Sequence, residues 1–170
     1  METVVRRKSK WSEMAGVLLL SLSAALLLAL ATYSGADTSL NVASARDQYS
    51  NFAGKIGAYV SDLLLQVFGL AVFLLPLIVA VMGYRKLRSQ SMRYPLLKIG
   101  VGLLVLVAMA AGIQVLGWPF ALSGNFTPGG VVGIITASWL TAYLNRGGTI
   151  ILLTTILLLS LLGATPFSFE

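Results

Sequence analysis

The stretch from Tyr49 to Arg88, YSNFAGKIGAYVSDLLLQVFGLAVFLLPLIVAVMGYRKLR, decides the fold class. It opens amphipathic, passes one acid at Asp62, runs apolar and stops on Arg85, Lys86 and Arg88. Between Leu63 and Tyr84 lie 22 residues without a formal charge. At ~1.5 Å of rise per residue they cross a hydrocarbon core of ~30 Å, so the segment reads as a membrane span with its basic end toward the cytoplasm. Just upstream, Gly54 with Ala58 and Gly57 with Ser61 set small residues at helical spacing, which suits close helix packing. Phe52, Ile56, Tyr59, Val60 and Leu63 fall three and four apart, which predicts a helix that begins before the bilayer and packs this apolar face on a neighbour. Pro76 lies inside the helix and is expected to kink it. Asp62, at the head of the span, reads as a helix cap or a partner of Lys55 in preference to a proton or ion relay.

Composition agrees with this reading. Hydrophobic residues make up 57% of the 170 and charged residues 11%, with a mean hydropathy of +0.87. An ordinary soluble domain carries ~25% charged residues, so the chain is a polytopic membrane module. Its net charge of +6 is a matter of topology, because nine of the twelve Lys and Arg fall in residues 6–10 and 85–98. Arg6, Arg7, Lys8, Lys10, Arg85, Lys86, Arg88, Arg93 and Lys98 are the residues that set orientation. There is no cysteine and no histidine, which removes disulfides, thiol chemistry, the commonest general base and the commonest metal ligand.

Outward from the central span, residues 1–13 form a basic cytoplasmic N-terminus and residues 14–33 a first span. Its apolar run exceeds the ~7–15 residues of a signal peptide, so it reads as a retained anchor. Ser21, Ala25 and Ala29 form a small-residue stripe on it, expected to be a packing surface. Residues 34–51 are polar and small, with no basic excess, and form an outer connection. A basic loop leads to a third span over 96–116, where Ala108 with Gly112 offers a second small-residue contact and Gly117-Trp118-Pro119 marks the exit. Residues 131–144 suit a re-entrant or interfacial outer helix better than a crossing, and residues 149–164 form the last span. The expected fold is therefore an all-α polytopic membrane helical bundle over 14–164, with four transmembrane helices (14–33, 63–84, 96–116, 149–164) plus a short outer, periplasmic-side helix over 131–144. Four spans are preferred to five because the basic residues then gather inside. Residues 165–170 read as the start of a cytoplasmic linker.

The sequence shows no catalytic constellation: no paired carboxylates within one span, no phosphate-binding Gly-rich loop and no HExxH. The spans also lack the basic lining that a DNA-conducting pore would need. A small channel or transporter subunit is the alternative reading, and it would require a paired polar lining.

From Asn51 the chain reads NxxGxxGAxxxDxLLxxFGxxxFxxP, with Asn51, Gly54, Gly57, Ala58, Asp62, Phe68, Gly69, Phe73 and Pro76 at the specified places. Gly129, Gly130 and Gly133 give a Gly-Gly-x-x-Gly after the third span, and Asn145 to Gly148 give a break containing Gly147 before the last. In this order the pattern resembles the four-span N-terminal membrane domain of the FtsK/SpoIIIE family of bacterial DNA translocases. The resemblance covers Trp11 to Ala164. It implies a non-catalytic domain of the bacterial cytoplasmic (inner) membrane, multi-pass with both termini cytoplasmic and enriched at the division septum, that anchors a translocase coupling chromosome segregation to cell division. It further implies membrane lipid and other septum proteins as partners, and homo-oligomerisation and DNA contact only through a motor absent from this chain. No cofactor is expected here, since ATP and Mg would belong to that motor. The matched residues are then packing or interaction positions.

Overall fold

The computed structural model describes residues 10–39, 49–88, 95–117 and 126–164. Among them the regular structure is helical: α1 (Lys10–Ala31), α2 (Gly54–Phe68), a 3-10 turn (Gly69–Phe73), α3 (Leu74–Leu87), α4 (Pro95–Leu116) and α5 (Gly130–Ala164). Since α2, the turn and α3 run on as one interrupted segment, four stretches are long and apolar enough to cross a membrane. The chain is an all-α polytopic bundle.

It is built as two helix pairs. In the first, α1 lies along the whole of α2–α3. The buried face of α1 carries Gly16, Ser23 and Leu30, each seven residues from the next. A Cβ at Gly16 would stand 2.6 Å from the Leu87 backbone nitrogen and 2.9 Å from the Gly83 carbonyl oxygen, so the two backbones touch there. The Ser12 hydroxyl donates to the Lys86 carbonyl at 2.8 Å and the Ser23 hydroxyl to the Pro76 carbonyl at 2.7 Å. The expected stripe of Ser21, Ala25 and Ala29 is corrected here: Ser21 and Ala25 are exposed, and only Ala29 is buried. Seven-residue spacing, not four, follows the neighbour along this helix.

The second span departs from expectation in the place of its break. The helix stops at Gly69, where φ is +57°, and resumes at Leu74, upstream of the proline. Pro76 lies buried in the first turn of α3, and its ring nitrogen cannot donate to the Val72 carbonyl in the 3-10 turn just upstream. The helix also starts well before the apolar run. Gly54 to Leu87 is 34 residues, roughly 50 Å at ~1.5 Å per residue, which leaves the first turns of α2 beyond a ~30 Å core.

In the second pair, α4 packs on α5, which is itself broken at Asn145 (φ 54°, ψ 175°). Ala137 before the break and Leu153 after it share one cluster with Ala108 and Ala111, flanked by Val115, Leu140, Ile156 and Leu157. In an unbroken helix Ala137 and Leu153 would be about 24 Å apart, so the two arms must fold back on each other. The first arm, 130–144, starts against Ala110 and ascends toward Val115. The second arm descends, with Ile150 and Leu153 beside Ile113 and Leu116. From Leu96 to Ala110 is roughly 21 Å along α4, so the first arm begins part-way along α4 and runs beside it toward Val115. Of the expected contact at Ala108 and Gly112, only Ala108 is buried, while Gly112 faces open space.

The close approach of α1 and α3 gives a direct test. Gly16→Leu is expected to push the helices apart and lower stability by about 1–3 kcal/mol. Gly102→Ala, whose new methyl would meet only Ile78 side-chain atoms at 3.6 Å, should be neutral. Thermal unfolding in detergent, followed by helical circular dichroism, compares them; equal midpoints would mean that backbone contact at Gly16 is not needed.

Candidate functional site

Two constructions gather residues of the Asn51–Pro76 pattern, and the first of them joins the pairs. The first is a backbone crossing. Leu70 N–H, freed by the break in the second span, donates to the Pro128 carbonyl at 2.8 Å. Gly69 and Gly130 face each other with positive φ of 57° and 64°, a backbone region costly for any residue with a Cβ. Space makes the same demand, since a Cβ at Gly69 would strike the Pro128 carbonyl oxygen and one at Gly130 the Gly69 nitrogen. Gly129 and Gly133 lie against the Ala110 carbonyl of α4. Phe126 enters a cluster with Leu30, Leu65 and Val72, against which Phe68 packs, and its ring meets Tyr33 edge-on at 5.8 Å. At this depth an unpaired N–H costs several kcal/mol, so one inter-segment bond is what permits the break.

The second construction is a buried polar cluster at the end of the bundle opposite the basic residues. Asp37 accepts the backbone N–H groups of Ser50 and Asn51, both at 2.9 Å. Asn51 is buried and spans three elements: its Nδ2 donates to the Ala29 carbonyl at 2.7 Å and approaches Ser61 Oγ at 3.5 Å, while its Oδ1 accepts Ala53 N–H at 2.9 Å. Asp62, only 2% exposed, accepts the Tyr33 hydroxyl at 3.0 Å and the Gln66 side-chain amide at 2.8 Å. The cluster therefore ties the end of α1, the connection after it and α2 through hydrogen bonds. Among the described residues no group of three or more His, Cys, Asp or Glu could hold a metal ion.

Several expected roles change. Asp62 neither caps α2 nor pairs with Lys55: the helix begins at Gly54, two turns earlier, and the Lys55 ammonium lies 5.9 Å from the Tyr59 ring centroid. Gly54 makes no close contact and serves the positive φ of 65° at the helix start. Gly57 makes room for the Asn51 side chain instead of for another helix. Ala58 is buried as expected of a packing position. Gly147 is exposed, with open space around its Cα, and packs on nothing. Among the described residues nothing covers the start of the apolar face of α2: Phe52 and Ile56 are 78% and 79% exposed, because the inward face carries Gly57, Ala58, Ser61 and Asp62. Gly16, Gly83, Ser23, Tyr33, Asp37 and Ala110 escaped the sequence reading. A glycine donated singly by each of two helices leaves no spacing pattern to find. Among the topology residues, Lys10 opens α1, Arg85 and Lys86 close α3, Arg88 follows it and Lys98 lies exposed near the start of α4. Arg6, Arg7, Lys8 and Arg93, with the exit at Trp118-Pro119, lie outside the described residues.

Asp62→Leu removes the acceptor that two donors share and is expected to cost about 1–3 kcal/mol, whereas Asp62→Asn keeps one carbonyl oxygen and should cost less. Gly57→Leu is expected to displace Asn51 and cost at least as much. Chemical unfolding of the three variants checks the order; a neutral Asp62→Leu would exclude the cluster from the stability of this end.

Comparison with known proteins bears on what such a domain belongs to. The family model described as the 4TM region of DNA translocase FtsK/SpoIIIE matches residues 8–170. The DNA translocase FtsK of Shewanella oneidensis is 30% identical over 149 residues, which is 84% of this chain and 16% of that protein. FtsK of Bradyrhizobium diazoefficiens is 38% identical over 126 residues, 71% of this chain and 14% of the relative. FtsK of Rickettsia prowazekii is 29% identical over 157 residues, 89% of this chain and 20% of the relative. The chain thus spans only about a sixth of the length of such relatives. No solved structure matches. With four apolar spans, the paired glycines at the helix break and a match across residues 8–170, the chain belongs to the FtsK/SpoIIIE family, as its four-span membrane region.

Proposed function

We propose that this domain anchors a DNA translocase in the bacterial inner membrane at the division septum, with both termini cytoplasmic, so that the motor works where the chromosome is being partitioned. The observation that carries the reading is the family match over residues 8–170, set beside relatives named DNA translocase in which this region is only 14–20% of the length. The remainder of such a protein would bind ATP and Mg, hydrolyse ATP, contact DNA and form the oligomer, and the part described here would contribute no catalytic group. Placement of Lys10, Arg85, Lys86, Arg88 and Lys98 at one end supports a cytoplasmic face there, by the positive-inside rule. At the other end the first arm of α5 leaves Val131, Ile135, Trp139 and Tyr143 exposed along one face, each four residues from the last. That face and the uncovered Phe52 and Ile56 of α2 are surfaces for other septum proteins.

Two measurements test the proposal in dividing cells. A fluorescent fusion of residues 1–170 is expected to concentrate at the constriction; an even distribution around the membrane would remove the septal part of the reading. Because the chain has no cysteine, the single replacements Ser50→Cys, Ser91→Cys and Ser168→Cys report topology without background. A thiol at position 50, an exposed place on the connection after α1, should label from outside, while thiols at positions 91 and 168 stay protected. Labelling of position 168 from outside would separate the last span from any cytoplasmic motor.

A further inference from the structure

We infer that the groove between α1 and α3 at the basic end is a binding site for an anionic phospholipid, an acyl chain lying along the helices and the phosphate held by Arg85. The groove measures about 480 Å³ and is lined by Leu20, Ala80, Val81, Tyr84 and Arg85. An apolar cavity of ~150 Å³ already binds benzene, so this space is ample for hydrocarbon. Its shape follows from the Gly16–Gly83 contact. Backbones pressed together at that point hold the helices in register, and the side chains of Leu20, Ala80 and Val81 leave a trough beside it.

The wall is graded along its length. Ala80 and Val81 are apolar, Tyr84 is half exposed with a phenol at interfacial depth, and Arg85 closes the trough in the last turn of α3. A second guanidinium stands at the same rim, because Arg88 lies 5.3 Å from the ring centroid of Tyr84. Lys86 adds a third cation on this turn. Among the described residues at this end the cations Lys10, Arg85, Lys86, Arg88 and Lys98 outnumber the acid, Glu13 in the first turn of α1, so the mouth is net positive. A guanidinium binds phosphate through two parallel hydrogen bonds, and basic pockets between membrane helices are known lipid headgroup sites.

A contrast within the molecule argues against a generic lipid-facing furrow. The other large cleft, about 350 Å³ between the 3-10 turn, α4 and the second arm of α5, is lined by apolar residues and Thr154, without a charged group. It offers nothing to a phosphate. Of these two clefts, the α1–α3 groove joins a hydrocarbon-sized trough to a cationic mouth.

The test uses the full chain in detergent with added phosphatidylglycerol or phosphatidylethanolamine, counting retained lipids by native mass spectrometry. Phosphatidylglycerol is expected to be retained about tenfold better, and Arg85→Gln to lose most of that preference. Lys98→Gln removes the same charge from α4, outside the groove, and should leave it intact. Ala80→Phe fills the trough and should lower retention of both lipids, with Val81→Trp as the second variant if the first loses helical signal. Equal losses in Arg85→Gln and Lys98→Gln would reduce the effect to diffuse charge and overturn the site. Unchanged retention in the filled variants would do the same.

Discussion

One hydrogen bond, from Leu70 N–H to the carbonyl of Pro128, governs how this domain is assembled. A helix broken within a membrane leaves backbone groups that water cannot reach, and every such group must find a protein partner. Here the partner comes from a different segment, so the break in the second span and the turn that starts α5 require each other. Gly69 and Gly130 make the bond possible by bringing two backbones to contact, and Gly129 and Gly133 carry the same closeness to α4 at Ala110. Both helix pairs meet at this depth, and α3 and α4 scarcely touch elsewhere.

Beyond the crossing, the polar residues are arranged inside out relative to a soluble protein. The buried side of α2 carries Ser61 and Asp62, with Asn51 against it, whereas Phe52 and Ile56 face outward. In water that arrangement would squander apolar area, but between membrane helices apolar contact offers little driving force and hydrogen bonds with small-residue packing do the selecting. Asp37, Asn51 and Asp62 form such a specifying network, since each carboxylate oxygen involved meets a donor from another element or turn.

The spans were legible in the sequence because hydropathy over about 20 residues is a sum, insensitive to which neighbour each residue meets. The Gly129, Gly130 and Gly133 pattern was legible through the family resemblance alone, which implied packing or interaction positions there. What stayed hidden is pairing. Small residues announce a contact without naming its partner, so Ser21 and Ala25 were assigned a face that the structure leaves open, while Gly16 and Gly83, one to a helix, passed unnoticed. The apolar face at Phe52 and Ile56 was misread for a related reason: amphipathicity gives a helix two faces, and which one turns inward depends on the solvent around it. Asp62 was placed at a helix start because the apolar run begins there, yet the helix itself begins where Gly54 permits the turn.

The sparse contact between α3 and α4 at the basic end bears on how far a substitution is felt. The two pairs meet most closely at the Gly69–Gly130 crossing, and below it α3 and α4 touch sparsely, as at Ile78 and Gly102. Contact between the pairs is concentrated at one level, so a substitution nearer the basic end perturbs packing chiefly within its own pair.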